Sequence, residues 1–135
     1  SVSVVLRVRP PLPHEAAHGQ CTRVVDGRRF TLTTSVEAKS RIGASQPPKV
    51  QQVECTYDKV LDMMASQEDV WGSVSKLVEK ALDGYNATVF TYGMTGTGKT
   101  YTMLGPGLMD AAFEGTSAPS AEELGACKRR GLVPR

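Results

Sequence analysis

The most constraining feature of this 135-residue chain is a glycine-rich segment at residues 93–100, which fits the pattern G-x-x-x-x-G-K-[ST] without a mismatch. The run before it, 87–92, is uncharged, β-branched and aromatic and predicts a buried strand, while a helix is predicted to begin near Gly98. Glycines let the backbone turn so that successive N–H groups face inward and bind anions, and the helix start adds its positive dipole end. The segment therefore predicts a strand, loop and helix that bind the phosphates of a nucleotide.

Two side chains of this loop carry the predicted chemistry. Lys99 is expected to bridge the β- and γ-phosphates, and the Thr100 hydroxyl is expected to ligate Mg²⁺. The predicted phosphate-binding residues are Gly93, Met94, Thr95, Gly96, Thr97, Gly98, Lys99 and Thr100. The alternative is a Gly/Thr-rich turn that matches the pattern by chance, and the strand before and helix after the loop weigh against it.

The residues before the loop predict strands first and a helix second. A β-rich run at 2–9 ends where Pro10 cannot donate to a sheet, and a small β lobe is predicted at about 21–57, with a turn at Asp26. A helix is predicted over 66–83, because a capping-box pattern precedes apolar residues at helical spacing. A loop-like insertion rich in Gly, Ala and Ser is predicted at about 105–130.

Composition narrows the classes of protein. The 16 Lys and Arg residues exceed the 14 Asp and Glu residues by only two, so charge suggests no nucleic-acid partner. No apolar run approaches the ~20 residues that span a bilayer, so no membrane partner is expected. Three cysteines without a CxxC pair disfavour a zinc site and a disulfide framework, and reduced thiols in the cytosol are expected. The chain begins with Ser1 rather than Met, which suggests a piece of a longer protein.

Five segments, in order along the chain, resemble the motor domain of the kinesin family. Residues 85–103 resemble the signature G-Y-N-x-T-[IV]-F-A-Y-G-Q-T-G-[SA]-G-K-T-[YH]-T-M, and 7–10 resemble R-x-R-P at the end of the first strand. Residues 57–60 are similar to F-D-x-V, and 67–71 to Q-x-x-V-[YF] at the start of the first helix. Residues 131–135 resemble G-I-I-P-R, which resumes the helix after the family's loop 5; a remnant of a protease-site tag is the alternative for the last four.

The resemblance implies the N-terminal part of an α/β P-loop NTPase, with a mostly parallel central sheet flanked by helices. It implies an ATPase that moves along microtubules, with ATP and Mg²⁺ as cofactors, tubulin as partner, and a location on the cytoplasmic cytoskeleton. It places Arg7, Arg9 and Pro10 against the adenine and Tyr101 on the other side, where guanidinium and phenol planes can stack on a purine. Solvated charges at a strand end are the alternative for the two arginines.

The sequence departs from the family pattern in two ways. Met94 stands where the family usually has Gln, and Thr91 where it usually has Ala. The 135 residues also contain neither switch I (N-x-x-S-S-R-S-H) nor switch II (D-L-A-G-x-E). In the family's sheet order, as the resemblance implies it, the strand at 87–92 lies between two strands from downstream sequence, so this chain alone is expected to be marginal or unfolded, and catalytically inert. Two further interpretations stay open: an inactive, motor-like protein that binds nucleotide or only a partner, and an unrelated P-loop NTPase. The subfamily, direction, cargo and oligomeric state are not determined by these residues.

Overall fold

The computed structural model describes residues 1–36, 49–106 and 130–133. The chain divides into two compact units, Ser1–Met63 and Met64–Arg135. The elements of the first unit are β1 (Val5–Arg7), a 3-10 turn (Ala16–His18), β2 (Thr22–Val24), β3 (Arg29–Val36), β4 (Lys49–Thr56) and β5 (Lys59–Leu61). The second unit contains α1 (Gln67–Leu82) and α2 (Lys99–Leu104). Among the helices in these ranges, none has both the length and the apolar character needed to cross a bilayer.

The first unit contains a parallel pair of short strands, β1 and β5, with Leu6 opposite Val60. Val60 and Leu61 are buried, so the apolar residues of β5 supply the core of this pair. Asp58 makes two hydrogen bonds with the residue before β1. Its carboxylate accepts from the N–H of Val4 at 2.8 Å, and its own N–H donates to the Val4 carbonyl at 3.1 Å. β1 is shorter than the strand predicted over 2–9, since its pairing with β5 covers only residues 5–7.

The second sheet of this unit is antiparallel, in the order β2, β3, β4. The turn between β2 and β3 lies at the predicted Asp26-Gly27 step. One oxygen of Asp26 accepts from the N–H groups of Arg28 and Arg29, each at 2.8 Å, and the other accepts from Nε of Arg29 at 2.7 Å. The Arg29 hydrogen bond is the main cause that lowers the pKa of Asp26 to about 2. This sheet occupies the part of the chain where the β lobe was predicted, at 21–57.

Helix α1 begins at Gln67 because Ser66 caps it. The Ser66 hydroxyl accepts from the N–H of Asp69, and the Asp69 carboxylate accepts from the N–H of Ser66 at 2.7 Å, so the predicted capping box is present. After the helix, the backbone turns at Gly84, whose φ of 95° favours glycine. The helix predicted over 66–83 is therefore α1 together with its two caps.

The apolar side of α1 is less buried than helical spacing predicts. Val70 is buried, Trp71 and Val74 are half-buried, and Leu77 and Val78 are exposed. The apolar residues at helical spacing are therefore buried only at the N-terminal end of the helix. The physical reason is that burial requires a facing surface, which the spacing of residues in one helix does not supply.

The strand predicted over 87–92 is not formed within the ranges that the structure describes. No strand is assigned to these residues, and Phe90 and Tyr92 are 77% and 95% exposed. The local composition is β-like, but a strand exists only where a second strand pairs with its N–H and C=O groups. The resemblance implies that the neighbours of this strand come from sequence after residue 135.

The insertion predicted at about 105–130 lies mostly outside the described residues, but both of its ends are visible. α2 ends at Leu104 and is followed by Gly105. At the other end, the N–H groups of Gly131, Leu132 and Val133 donate to the carbonyls of residues 104, 102 and 103, at 3.2, 3.1 and 2.9 Å. The chain therefore leaves the end of α2 and returns to it, but the described residues 130–133 form a bend and a turn there rather than the resumed helix that the resemblance to G-I-I-P-R implies.

Candidate nucleotide-binding site

The loop at 93–98 is shaped by three glycines in backbone conformations that other residues avoid. Gly93, Gly96 and Gly98 have φ values of 155°, 84° and 95°. A Cβ on Gly93 would lie 2.7 Å from Oγ1 of Thr97, so any other residue there must displace that hydroxyl. The predicted turn chemistry of the loop is therefore present, and Lys99 is the first residue of the helix that follows it.

Lys99 folds back over the loop. Its Nζ donates to the carbonyl of Gly93 at 2.8 Å and to the carbonyl of Met94 at 2.7 Å. The Met94 carbonyl also accepts from the hydroxyl of Thr97 at 2.8 Å and from its N–H at 3.3 Å. One carbonyl thus orders both the turn and the ammonium group, which lies against the loop where phosphates are predicted to bind.

The contacts of Met94 show why its departure from the family pattern leaves the loop intact. Its bonds to Lys99 and Thr97 use the backbone carbonyl, while its side chain is 82% exposed. A side chain that points to solvent contributes nothing to these three bonds. The hydrogen bonds that order the loop at this position therefore do not depend on the side chain of residue 94.

Gln67 anchors the helix that follows the loop. This first residue of α1 is 4% exposed, and its Nε2 donates to the backbone carbonyl of Tyr101 at 2.6 Å. The same carbonyl accepts from the N–H of Gly105 at 2.9 Å. The sequence pattern included Gln67 in the Q-x-x-V motif but assigned it no role; the structure shows that it joins α1 to α2.

The predicted adenine-binding residues fall in both units. Arg7 ends β1, and Arg9 and Pro10 follow it in the first unit, while Tyr101 lies in α2 of the second. Arg9 is held by Glu15, with NH1 to Oε2 at 2.7 Å and NH2 to Oε1 at 2.6 Å. Glu15 was not among the predicted site residues. The common adenine site of Arg7, Arg9, Pro10 and Tyr101 remains a prediction.

The predicted metal ligand is a hydroxyl in the first turn of α2. Thr100 follows Lys99 there and is exposed. Within the described part of the chain, no group of three or more His, Cys, Asp and Glu side chains is arranged to hold a metal ion. A single hydroxyl such as that of Thr100 is the kind of protein ligand that Mg²⁺ takes beside phosphate oxygens and water, and its role here remains a prediction.

A glycine-shaped loop whose lysine lies over it, followed at once by a helix, defines the chain as a P-loop nucleotide-binding protein. Comparison with known proteins narrows this class. The family model of the kinesin motor domain matches residues 7–130. The chain belongs to the kinesin motor-domain family.

Individual relatives agree with this assignment. The chain is 41% identical over 135 residues to Kinesin-like protein KIN-14C of Arabidopsis thaliana, covering all of this chain and 14% of that protein. It is 37% identical over 105 residues to Protein claret segregational of Drosophila melanogaster, covering 78% of this chain and 14% of that protein. The chain thus spans 14%, about one seventh, of the length of each of these relatives.

A solved structure confirms the fold class. The structure of a fast kinesin, described with implications for ATPase mechanism and interactions with microtubules, matches with a TM-score of 0.69 and 33% identity. The match covers all of this chain and 30% of that one. The predicted fold, the N-terminal part of a kinesin-like P-loop NTPase, is therefore correct.

Proposed function

We propose that this chain is the ATP-binding part of a microtubule motor that couples ATP hydrolysis to movement along microtubules in the cytoplasm. The observation that carries the proposal is the loop at 93–98 with Nζ of Lys99 within 2.8 Å of two of its carbonyls. The family match supports the motor function, because the motif lies in the family's sequence context rather than alone. Hydrolysis and movement are proposed for the whole motor, which includes sequence beyond these residues.

In this proposal, Lys99 leaves its two carbonyl acceptors for phosphate oxygens. The exchange is favourable because an ammonium forms stronger hydrogen bonds with a charged phosphate than with neutral carbonyls. Thr100 offers its hydroxyl to Mg²⁺, which neutralises charge on the phosphates during transfer. Arg7, Arg9 and Pro10 contact the adenine on one side, and Tyr101, which directly follows Thr100, contacts it on the other.

The proposal is tested by measuring nucleotide binding to the full-length protein that contains these residues, which is called the full chain below. Lys99→Ala is expected to abolish binding of a fluorescent ATP analogue, and Lys76→Ala, at an exposed lysine of α1, is the matched control. Arg9→Ala is expected to weaken ATP more than inorganic tripolyphosphate, because it removes only the contact with the base. If Lys99→Ala binds the analogue as tightly as the wild type, the proposed phosphate site is wrong.

Hydrolysis is tested separately from binding. The motor proposal predicts ATP hydrolysis that microtubules stimulate in the full chain and that Lys99→Ala removes. Normal ATP binding without hydrolysis, with or without microtubules, would instead support the inactive, motor-like protein. The two measurements together distinguish a motor from a protein that only binds nucleotide.

A further inference from the structure

The pair formed by Arg9 and Glu15 joins a predicted nucleotide contact to a residue with no assigned role. Both terminal nitrogens of the guanidinium donate to the two carboxylate oxygens, at 2.7 and 2.6 Å. Such a two-point contact fixes the plane of the guanidinium as well as its position. Both side chains are partly accessible, at 30% and 38%.

Glu15 is itself held by the backbone of the loop after β1. Its Oε2 also accepts from the N–H of Leu12 at 2.8 Å, and its own N–H donates to the Leu12 carbonyl at 2.9 Å. On the other partner, NH1 of Arg9 donates to the carbonyl of Pro10 at 3.0 Å. The carboxylate thus links the backbone of this proline-containing loop to the guanidinium and holds the guanidinium in position.

The direction of the contacts leaves the stacking function of Arg9 intact. A carboxylate that binds the two terminal nitrogens lies in the plane of the guanidinium, whereas a purine stacks on its flat face. Holding the edge therefore does not compete with stacking. The contact restricts the rotation of the Arg9 side chain before the ligand binds, so less conformational entropy is lost on binding.

We propose that Glu15 is a positioning residue, which fixes the plane of the Arg9 guanidinium so that its face is ready to stack on the base of the bound nucleotide. The proposal rests on the proposed function, in which Arg9 contacts the adenine. The low pKa of Glu15, about 2 and lowered mainly by its hydrogen bond with Arg9, keeps the carboxylate charged at neutral pH. Glu15 acts through Arg9 and does not touch the phosphates.

The experiment compares variants of the full chain for binding of ATP and of inorganic tripolyphosphate, and for the KM and kcat of ATP hydrolysis. Glu15→Gln is expected to weaken ATP binding by about 3- to 10-fold, the range for reordering one long side chain. Tripolyphosphate binding and kcat are expected to stay unchanged, and KM is expected to rise. Glu15→Asp, which keeps the charge, is expected to restore part of the affinity.

The matched control is Asp26→Asn, because Asp26 also pairs with an arginine, Arg29, at 2.7 Å but lies in the hairpin turn. This variant is expected to bind both ligands normally. The double variant Arg9→Ala with Glu15→Gln is expected to bind ATP no more weakly than Arg9→Ala alone, since Glu15 acts only through Arg9.

Each contrary result has a distinct meaning. If Arg9→Ala weakens ATP but Glu15→Gln leaves it within twofold or tightens it, the positioning role is overturned. If Glu15→Gln weakens ATP and tripolyphosphate equally and lowers the melting temperature, Glu15 is only structural and the proposal is again overturned. If Arg9→Ala itself does not change ATP binding, the adenine contact in the proposed function fails, and the role of Glu15 fails with it.

Discussion

The turn of the phosphate-binding loop depends on the missing side chain at Gly93. Its φ of 155° lies in a region that disfavours other residues, and an added Cβ would lie 2.7 Å from Oγ1 of Thr97. That hydroxyl donates to the Met94 carbonyl at 2.8 Å. Gly93→Ala must therefore strain the backbone and displace the hydroxyl that closes the turn.

The expected size of the effect follows from these two contributions. A sparsely populated backbone conformation costs about 1–3 kcal/mol, and loss of one hydrogen bond costs about 1 kcal/mol. Their sum of about 2–4 kcal/mol corresponds to at least about a 30-fold loss of nucleotide affinity, since each 1.4 kcal/mol is tenfold. Gly96→Ala, at φ 84° with no atom within 4 Å of the added Cβ, carries only the strain, so a smaller loss is expected.

The assay is titration of the full chain with a fluorescent ATP analogue. Thr97→Ala removes the hydroxyl that the new Cβ would meet, so Gly93→Ala combined with Thr97→Ala is expected to lose less affinity than the two single losses added together. The geometric explanation is refuted if Gly93→Ala binds like the wild type, or if the losses in the double variant are additive.

Two further predictions concern stability. Gly72 lies inside α1 and Gly84 follows its C-terminus, and an added Cβ at either meets nothing within 4 Å, but only Gly84 has a positive φ, 95°. In a synthetic peptide of residues 64–86, Gly72→Ala is therefore expected to stabilise the helix by about 1 kcal/mol and so to raise its helix content, whereas Gly84→Ala is expected to lower the helix content. Helix content is measured by circular dichroism, and a change in the same direction for both variants would contradict this prediction. Asp26, whose pKa falls from 3.8 to about 2, contributes stability that is complete above the unfolded value and is lost as pH falls toward 2. In Asp26→Asn, urea midpoints measured in the full chain should therefore fall less between about pH 4 and 2 than in the wild type, and identical profiles would exclude this contribution.

The parts that sequence predicts well are those whose causes are local. Ser66 and Asp69 lie three residues apart, and their reciprocal hydrogen bonds need no other part of the chain. The loop glycines are similar, because their positive φ values are a property of the turn itself. The capping box and the turn of the phosphate loop could therefore be read directly from residue types and spacing.

The parts that sequence predicts poorly depend on partners distant in the chain. The segment 87–92 has strand composition, but composition does not supply a neighbouring strand, and β1 reaches only as far as its pairing with β5. The pair of Arg9 and Glu15 was missed for another reason. The two residues are separated by a loop with three prolines, at positions 10, 11 and 13, where no helical or strand periodicity indicates which side chains meet.

The connection at the end of α2 bears on how this site keeps its geometry. The carbonyls of Thr102, Met103 and Leu104 accept from the N–H groups of residues 132, 133 and 131, so the returning chain satisfies the last turn of a helix that is only six residues long. Gly131 is buried there, and a Cβ on it would collide with the carbonyl of Met103 and the backbone of Leu104. Because both ends of the intervening segment are bound to the same helix end, changes in its length add only the slowly growing cost of closing a longer loop. The helix that starts at Lys99 is thus held by Gln67, through the carbonyl of Tyr101, and by the returning chain at its C-terminal end.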